Sequence, residues 1–303
     1  MPKRPSGDRH SETLHGLLAI ALAAALWSIA AVAARALFDR GVDPLEVAEA
    51  RSAIAAIGLA FIPAARARVS GGSLPAVIAL GLCIALVNAV YYQAIARLDV
   101  AVALVLQYTA PALVVGWVAL KTRRRPPPEV AAAVVVTFAG VVLVSGVLDA
   151  GIGDMDSTGV AYGLSAAFFF SAYTLLSERA GAAYGILGAL LRGFVAASLM
   201  WVVFQAPRGW PSDLVAAENI LLVLFVGIVG TLAPFILFLW GVQKVRAERA
   251  AIAATLEPIL AAIVAWIWLD QQLTPIQVAG GALILGGVVA LQLRRREVDI
   301  PDL

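Results

Sequence analysis

Four charged side chains stand inside otherwise apolar stretches of this 303-residue sequence: Glu49, Arg51, Arg192 and Glu257. A charge in such surroundings is costly unless it is paired or faces a wet cavity, so each one marks a working group or a buried pair. Glu257 immediately precedes Pro258. A proline has no N–H to give and frees the carbonyl one turn earlier, so a carboxylate and spare backbone acceptors meet at one point. Such a point would hold a proton or an amine. Alternatively, Glu257 is the structural partner of Arg51 or Arg192.

Uncharged polar and aromatic groups form a second set. Asn88, Tyr91, Tyr92 and Gln93 lie in one apolar run, and Gln107, Tyr108 and Thr109 come just before Pro111 in the next. Trp27 and Ser28 lie halfway along the first run, with Phe170, Ser171, Tyr173 and Thr174 at the matching place of a later one. Asn88 with Tyr91 or Tyr92 has the spacing that puts an amide and a phenol on one helix face. Together the set suits a zwitterion with an apolar side chain, with rings against that side chain or the ammonium and amides and hydroxyls toward the carboxylate. Taken singly, each has an ordinary use: Ser and Thr bond their own backbone, and rings fill helix interfaces.

Other chemistries lack their residues. The only histidines, His10 and His15, are at the N-terminus, and Cys83 is the one cysteine, so no His-based triad, disulfide scaffold, thiolate cluster or other metal site is expected. No Gly-x-Ser-x-Gly elbow occurs. Gly116 to Thr122 lacks the glycine that a phosphate loop needs before its lysine. The reading is of a protein that is not an enzyme, uses no cofactor and binds no nucleic acid.

The elements that position these residues follow from composition. The chain is 61% hydrophobic and 14% charged, with mean hydropathy +0.90; soluble domains carry about 25% charged residues. Lipid is therefore the solvent. Crossing the hydrocarbon core takes roughly 20 apolar residues, and ten runs qualify: Leu14 to Phe38, Pro44 to Pro63, Ser73 to Ala96, Val100 to Leu120, Pro128 to Gly146, Thr158 to Glu178, Ile186 to Ala206, Glu218 to Val242, Glu248 to Leu269 and Pro275 to Leu293. The first is read as a retained helix, being longer than a signal-peptide core. The expected fold is an all-α integral membrane protein of ten transmembrane helices with short connections.

With the N-terminus in the cytoplasm, sixteen Lys and Arg residues, among them Arg66, Lys121, Arg123 and Lys244, fall inside, and only Arg40, Arg97 and Arg208 fall outside. That imbalance puts both termini in the cytoplasm. Trp117, Trp201, Trp210, Trp240, Trp266 and Trp268 are expected in the interfacial belts. The fifth and tenth runs are nearly free of polar atoms and repeat small residues seven apart, Ala133 with Gly140 and Gly280 with Gly287. That pattern reads as a close-packing face, for scaffold or for a homodimer contact.

The runs divide into two halves. Pro111 and Pro258 are 147 residues apart, as are Pro128 and Pro275 and Gly140 and Gly287; Gly16 and Ser28 precede Gly159 and Ser171 by 143; Arg51 precedes Arg192 by 141. Five crossings per half invert the second half, giving a tail at 1–13, a first five-helix repeat at 14–146, an external linker at 147–157, a second repeat at 158–293 and a tail at 294–303. Inverted repeats permit two nearly equivalent packings, each open to one side, around a midplane site. Pro111, Pro258, Arg51 and Arg192 are the candidates for structural or gating roles.

The Trp27-Ser28 pair, the two arginines, the two proline helices and the stretch Asp270-Gln-Gln-Leu-Thr-Pro-Ile-Gln277 running into Gly280 to Gly287 resemble the drug/metabolite transporter superfamily and its ten-helix family of two EamA-type domains. The resemblance covers Leu14 to Leu293. One departure is Asp270, where the family usually carries Glu. The resemblance implies a secondary transporter of the bacterial inner membrane, moving small metabolites, chiefly neutral or aromatic amino acids and usually outward, closest to the aromatic-amino-acid exporters. A broad-specificity efflux carrier, a channel or a lipid-handling protein are the alternatives.

Overall fold

The computed structural model describes residues 6–67, 72–123, 125–144, 156–209, 211–245 and 247–294, and its elements there are all helical. Most of the expected linker, residues 147–155, lies outside the described residues, as do Arg68, Arg124, Trp210, Arg246, Arg295 and Arg296. In chain order the helices are α1 (Ser6–Asp39), α2 (Pro44–Ala60), α3 (Leu74–Arg97), α4 (Val100–Gln107), α5 (Ala110–Thr122), α6 (Pro128–Val144), α7 (Ser157–Tyr184), α8 (Ile186–Gln205), α9 (Ser212–Val215) and α10 (Ile220–Leu224). After a π-helical stretch, Phe225–Leu232, come α11 (Ala233–Val242), α12 (Ala247–Ala254), α13 (Leu256–Leu269) and α14 (Pro275–Arg294).

Among the described residues, seven helical stretches are long and apolar enough to cross a membrane, counting α4 with α5, α10 through α11, and the end of α12 with α13 as single spans. Pro128–Val144 and Pro275–Leu291 are shorter apolar helices, and α2 has 17 residues. These three account for the difference between seven and the ten runs of the sequence. Phe61, Leu120, Val203, Leu221 and Ile267 are among many large apolar side chains left exposed. A protein in water would not carry such a surface, whereas acyl chains cover it without cost.

The structure departs from the expected runs at several points, and α7 continues to Tyr184, six residues past the sixth run. α1 starts at Ser6, eight residues before the apolar run. The fourth run is broken between α4 and α5, ahead of Pro111, and the ninth at Thr255, ahead of Pro258. The eighth run widens into a π-helix because Pro234 cannot donate to the carbonyl four residues back; the Ala233 N–H reaches instead to Ile228, five back. Trp201 is 5% exposed rather than interfacial, its ring 5.6 Å from Phe204. α8 is packed by both α2 and α3, which leaves this part of the helix little lipid to face. Trp117, Trp240, Trp266 and Trp268 are exposed.

Small residues set the closest approaches. α6 and α14 pack along their glycines: a Cβ on Gly280 would lie 2.7 Å from the Val144 nitrogen and 2.8 Å from the Gly140 carbonyl oxygen. At the π-helix, a Cβ on Gly230 would collide with Ala30 of α1, and one on Gly227 with Ile54 of α2. Helices α1 and α2 thus seat against the widened turn. Arginines tie the helix ends: the Arg35 guanidinium lies 2.7 Å from Asp39 and donates to the Ile95 and Leu98 carbonyls at 2.9 Å, and Arg40 donates to Glu218 O at 2.9 Å.

Candidate functional site

The two proline breaks come together with α1 and α7. Pro258 cannot donate to the carbonyl of Ala254, and Pro111 cannot donate to that of Gln107, so each break leaves one orphan acceptor. At both breaks a threonine turns back on the chain: Thr109 Oγ1 donates to Leu106 O and Thr255 Oγ1 to Ile252 O, each at 2.7 Å. Both breaks are also held from a distant helix. Ser28 Oγ lies 2.8 Å from the carbonyl oxygen of Glu257, which precedes Pro258, and Ser171 Oγ lies 3.1 Å from that of Ala110, which precedes Pro111. Each serine shares its single proton with its own helix, at Ala24 O (2.7 Å) and Ala167 O (2.8 Å).

The carboxylate sits where these parts converge. Glu257 is half-buried, and its Oε2 is 3.0 Å from the Tyr108 hydroxyl, which also lies 2.7 Å from the orphan Ala254 carbonyl oxygen. Tyr108 is thus the bridge between the break in α4–α5 and the break in α12–α13. Neither arginine forms an ion pair with Glu257. Arg51, 9% exposed, donates through Nε to Thr231 Oγ1 at 3.0 Å and stacks over Tyr92 at 5.2 Å. Arg192 donates to Gly188 O (3.1 Å), Ala65 O (3.4 Å) and Ala67 O (3.2 Å), and covers the Tyr184 ring at 4.5 Å. Arg51 faces Glu257 without a direct ion pair, its Nε bond going to Thr231.

The remaining candidates divide. Trp27, half-buried and adjacent to Ser28, packs against Phe235 (5.5 Å) and Phe238 (5.6 Å), with Phe194 behind Phe235 at 5.8 Å. Gln107 is half-buried, and its buried Oε1 has no hydrogen-bond partner. Phe170 and Tyr173 lie 5.9 Å apart, the first exposed and the second half-buried. Asn88 and Thr174 follow the ordinary use of their residue types, donating to Ile84 O and Phe170 O of their own helices at 2.8 Å. Tyr92 is enclosed by Tyr91, Phe38 and Arg51, which makes it part of the packing; Gln93 is half-buried. Glu49 is half-buried with Oε2 unpartnered.

Sequence reasoning passed over Thr231, Phe194, Phe235 and Phe238. Thr231 carried a signal, since it lies between Gly230 and Pro234 in a run whose helix cannot be regular. The three phenylalanines carried none, because a phenylalanine in a membrane helix has no composition to distinguish it from filling.

Known proteins of similar sequence are membrane transporters. Residues 14–146 and 157–292 match the profile of the EamA-like transporter family. The chain is 26% identical over 223 residues to a Salmonella typhimurium protein named uncharacterized inner membrane transporter YicL, covering 69% of this chain and 70% of the relative. It is 28% identical over 233 residues to the threonine/homoserine exporter RhtA of Escherichia coli K12, covering 74% and 73%. A solved crystal structure superposes with a TM-score of 0.57 over 95% of this chain and 99% of the other, at 22% identity, which supports the fold.

Proposed function

The chain belongs to the EamA-like transporter family and is a multi-pass membrane transporter, and from that premise we propose that it carries neutral amino acids and related small metabolites outward across the bacterial inner membrane. In this reading ten helices form two inverted five-helix repeats with both termini in the cytoplasm, and substrate binds midway across by alternating access. The observation that carries it is the bridged pair of helix breaks. Ser28 holds the carbonyl before Pro258 and Ser171 holds the carbonyl before Pro111, with Glu257 and Tyr108 between the breaks. This correspondence supports the repeat better than sequence identity does, since it relates contacts rather than letters.

Glu257 takes the substrate ammonium, Gln107 supplies an unspent amide oxygen as acceptor, and the Trp27–Phe235–Phe238 rings receive an apolar side chain. An amino acid meets all three demands at once, and a relative named as a threonine/homoserine exporter supports the choice. A broad efflux carrier would share the rings but not require the carboxylate. α6 and α14 spend their glycine faces on each other, so a second copy would dock on their outward residues, Val135, Val142 and Val278. The test is uptake of labelled threonine, homoserine and phenylalanine by proteoliposomes of the purified protein. Accumulation that unlabelled substrate inside accelerates is expected, and failure to carry any of the three overturns the substrate class.

A further inference from the structure

The Tyr108 hydroxyl stands between two oxygens, Ala254 O at 2.7 Å and Glu257 Oε2 at 3.0 Å, and it has one proton to give. Were Glu257 ionised, that proton would have to serve either the carboxylate or the orphan carbonyl, leaving the other oxygen against a lone pair in apolar surroundings. An unserved polar group in such a place costs several kcal/mol, roughly 2–7 for a neutral one and more for a charge. Ser28 and Ser171 also face two oxygens each, but those are carbonyls, which bring no proton of their own. At Tyr108 one of the two is a carboxyl, which can.

We propose that Glu257 is a proton-binding site and that this conformation is its protonated state. Oε2–H donates to the Tyr108 oxygen, and Tyr108 O–H donates to Ala254 O. Glu257 Oε2, the Tyr108 oxygen and Ala254 O are then all served. The groups facing Glu257 from neighbouring elements are Tyr108 at the α4–α5 break, Tyr91 on α3 and Arg51 on α2; α1 contributes Ser28. Arg51 is the only charged one, and its Nε bond is made to Thr231. The step is a proton transfer alone: the proton leaves Oε2 for water, no bond to carbon changes, and the carboxylate acquires one negative charge. Tyr108 O–H then turns to the anion and Ala254 O loses its donor, so the bridge between the two breaks keeps its Glu257 arm and releases the carbonyl of the α12–α13 break. Proton binding thereby biases how the broken helices pack.

This inference rests on Glu257 being in the working site but not on which metabolite is carried, so its test uses no substrate. Infrared difference spectra of the purified full-length protein in nanodiscs are recorded as the bulk pH is stepped from mildly acidic to mildly alkaline. Wild type is expected to lose a carboxylic-acid C=O band as pH rises, with that band absent in Glu257→Gln and moved in frequency in Tyr108→Phe, which removes the acceptor. Should Glu257→Gln fail to fold, Glu257→Asp serves, with a displaced band expected. A titrating band that survives unchanged in these Glu257 variants, or no titrating band in wild type, overturns the proposal. A positive spectrum from a protein that carries no amino acid would instead overturn the substrate reading and leave the proton site standing.

Discussion

Arg51 offers a perturbation whose size follows from its contacts. Its Nε donates to Thr231 Oγ1 at 3.0 Å, Thr231 is fully buried and donates in turn to Val226 O at 2.9 Å, and the guanidinium stacks over Tyr92 at 5.2 Å. Thr231→Val keeps the shape and removes only the hydroxyl. A hydrogen bond to a charged group is worth about 1.5–3 kcal/mol in water-soluble proteins, and side-chain bonds between membrane helices run from about 0.6 to 1.7 kcal/mol. A loss of about 1–2 kcal/mol is expected for Thr231→Val. Arg51→Lys removes the Nε donor and moves the cation off the Tyr92 ring; that ring contact adds about 0.5–2 kcal/mol, so about 1.5–4 kcal/mol is expected from the sum of the two contacts. The double variant should fall short of the sum by about 1–2 kcal/mol, because the shared bond is lost once. The assay is reversible unfolding in mixed micelles across the four proteins of the cycle. Additivity within about 0.5 kcal/mol would refute the claim that α2 is tied to the π-helix through this bond.

Other perturbations read other parts. Gly280→Val should destabilise by at least about 1–3 kcal/mol, measured by thermal unfolding, because its Cβ meets the Val144 and Gly140 backbone rather than a movable side chain. Ser28→Ala and Ser171→Ala should each cost about 0.6–1.7 kcal/mol in the same assay, and similar losses would follow from their matching contacts. Trp27→Phe should change stability by less than about 1.5 kcal/mol but alter the order of preference between phenylalanine and threonine in uptake assays; an unchanged order would remove Trp27 from the site.

What the sequence made legible was what depends on residue type along the chain. Prolines in register marked both helix breaks, Gly140, Gly280 and Gly287 marked the α6–α14 contact, and the carboxylate before Pro258 marked the point where the two breaks meet. What it concealed depends on direction around each helix. A span apolar on all sides has no polar stripe to say which face meets a neighbour, so Trp201 read as interfacial when it is buried, and Phe235 and Phe238, which pack against Trp27, drew no reading at all. The destination of a polar side chain was hidden for the same reason. Asn88 turned out to serve its own backbone, while Arg51, a candidate partner for Glu257, reaches Thr231. The π-helix was within reach of reasoning from Pro234, since a proline deep in a span must displace one hydrogen bond.

The central claim is that a carboxylate between two bridged helix breaks carries an amino acid across the membrane. It is tested most directly by counterflow: proteoliposomes loaded with unlabelled threonine, homoserine or phenylalanine and exposed to the labelled form, for wild type and Glu257→Gln. The account expects transient accumulation of at least one label in wild type and its loss in Glu257→Gln, with the variant still folded by its gel-filtration profile. Equal counterflow by both proteins would contradict it.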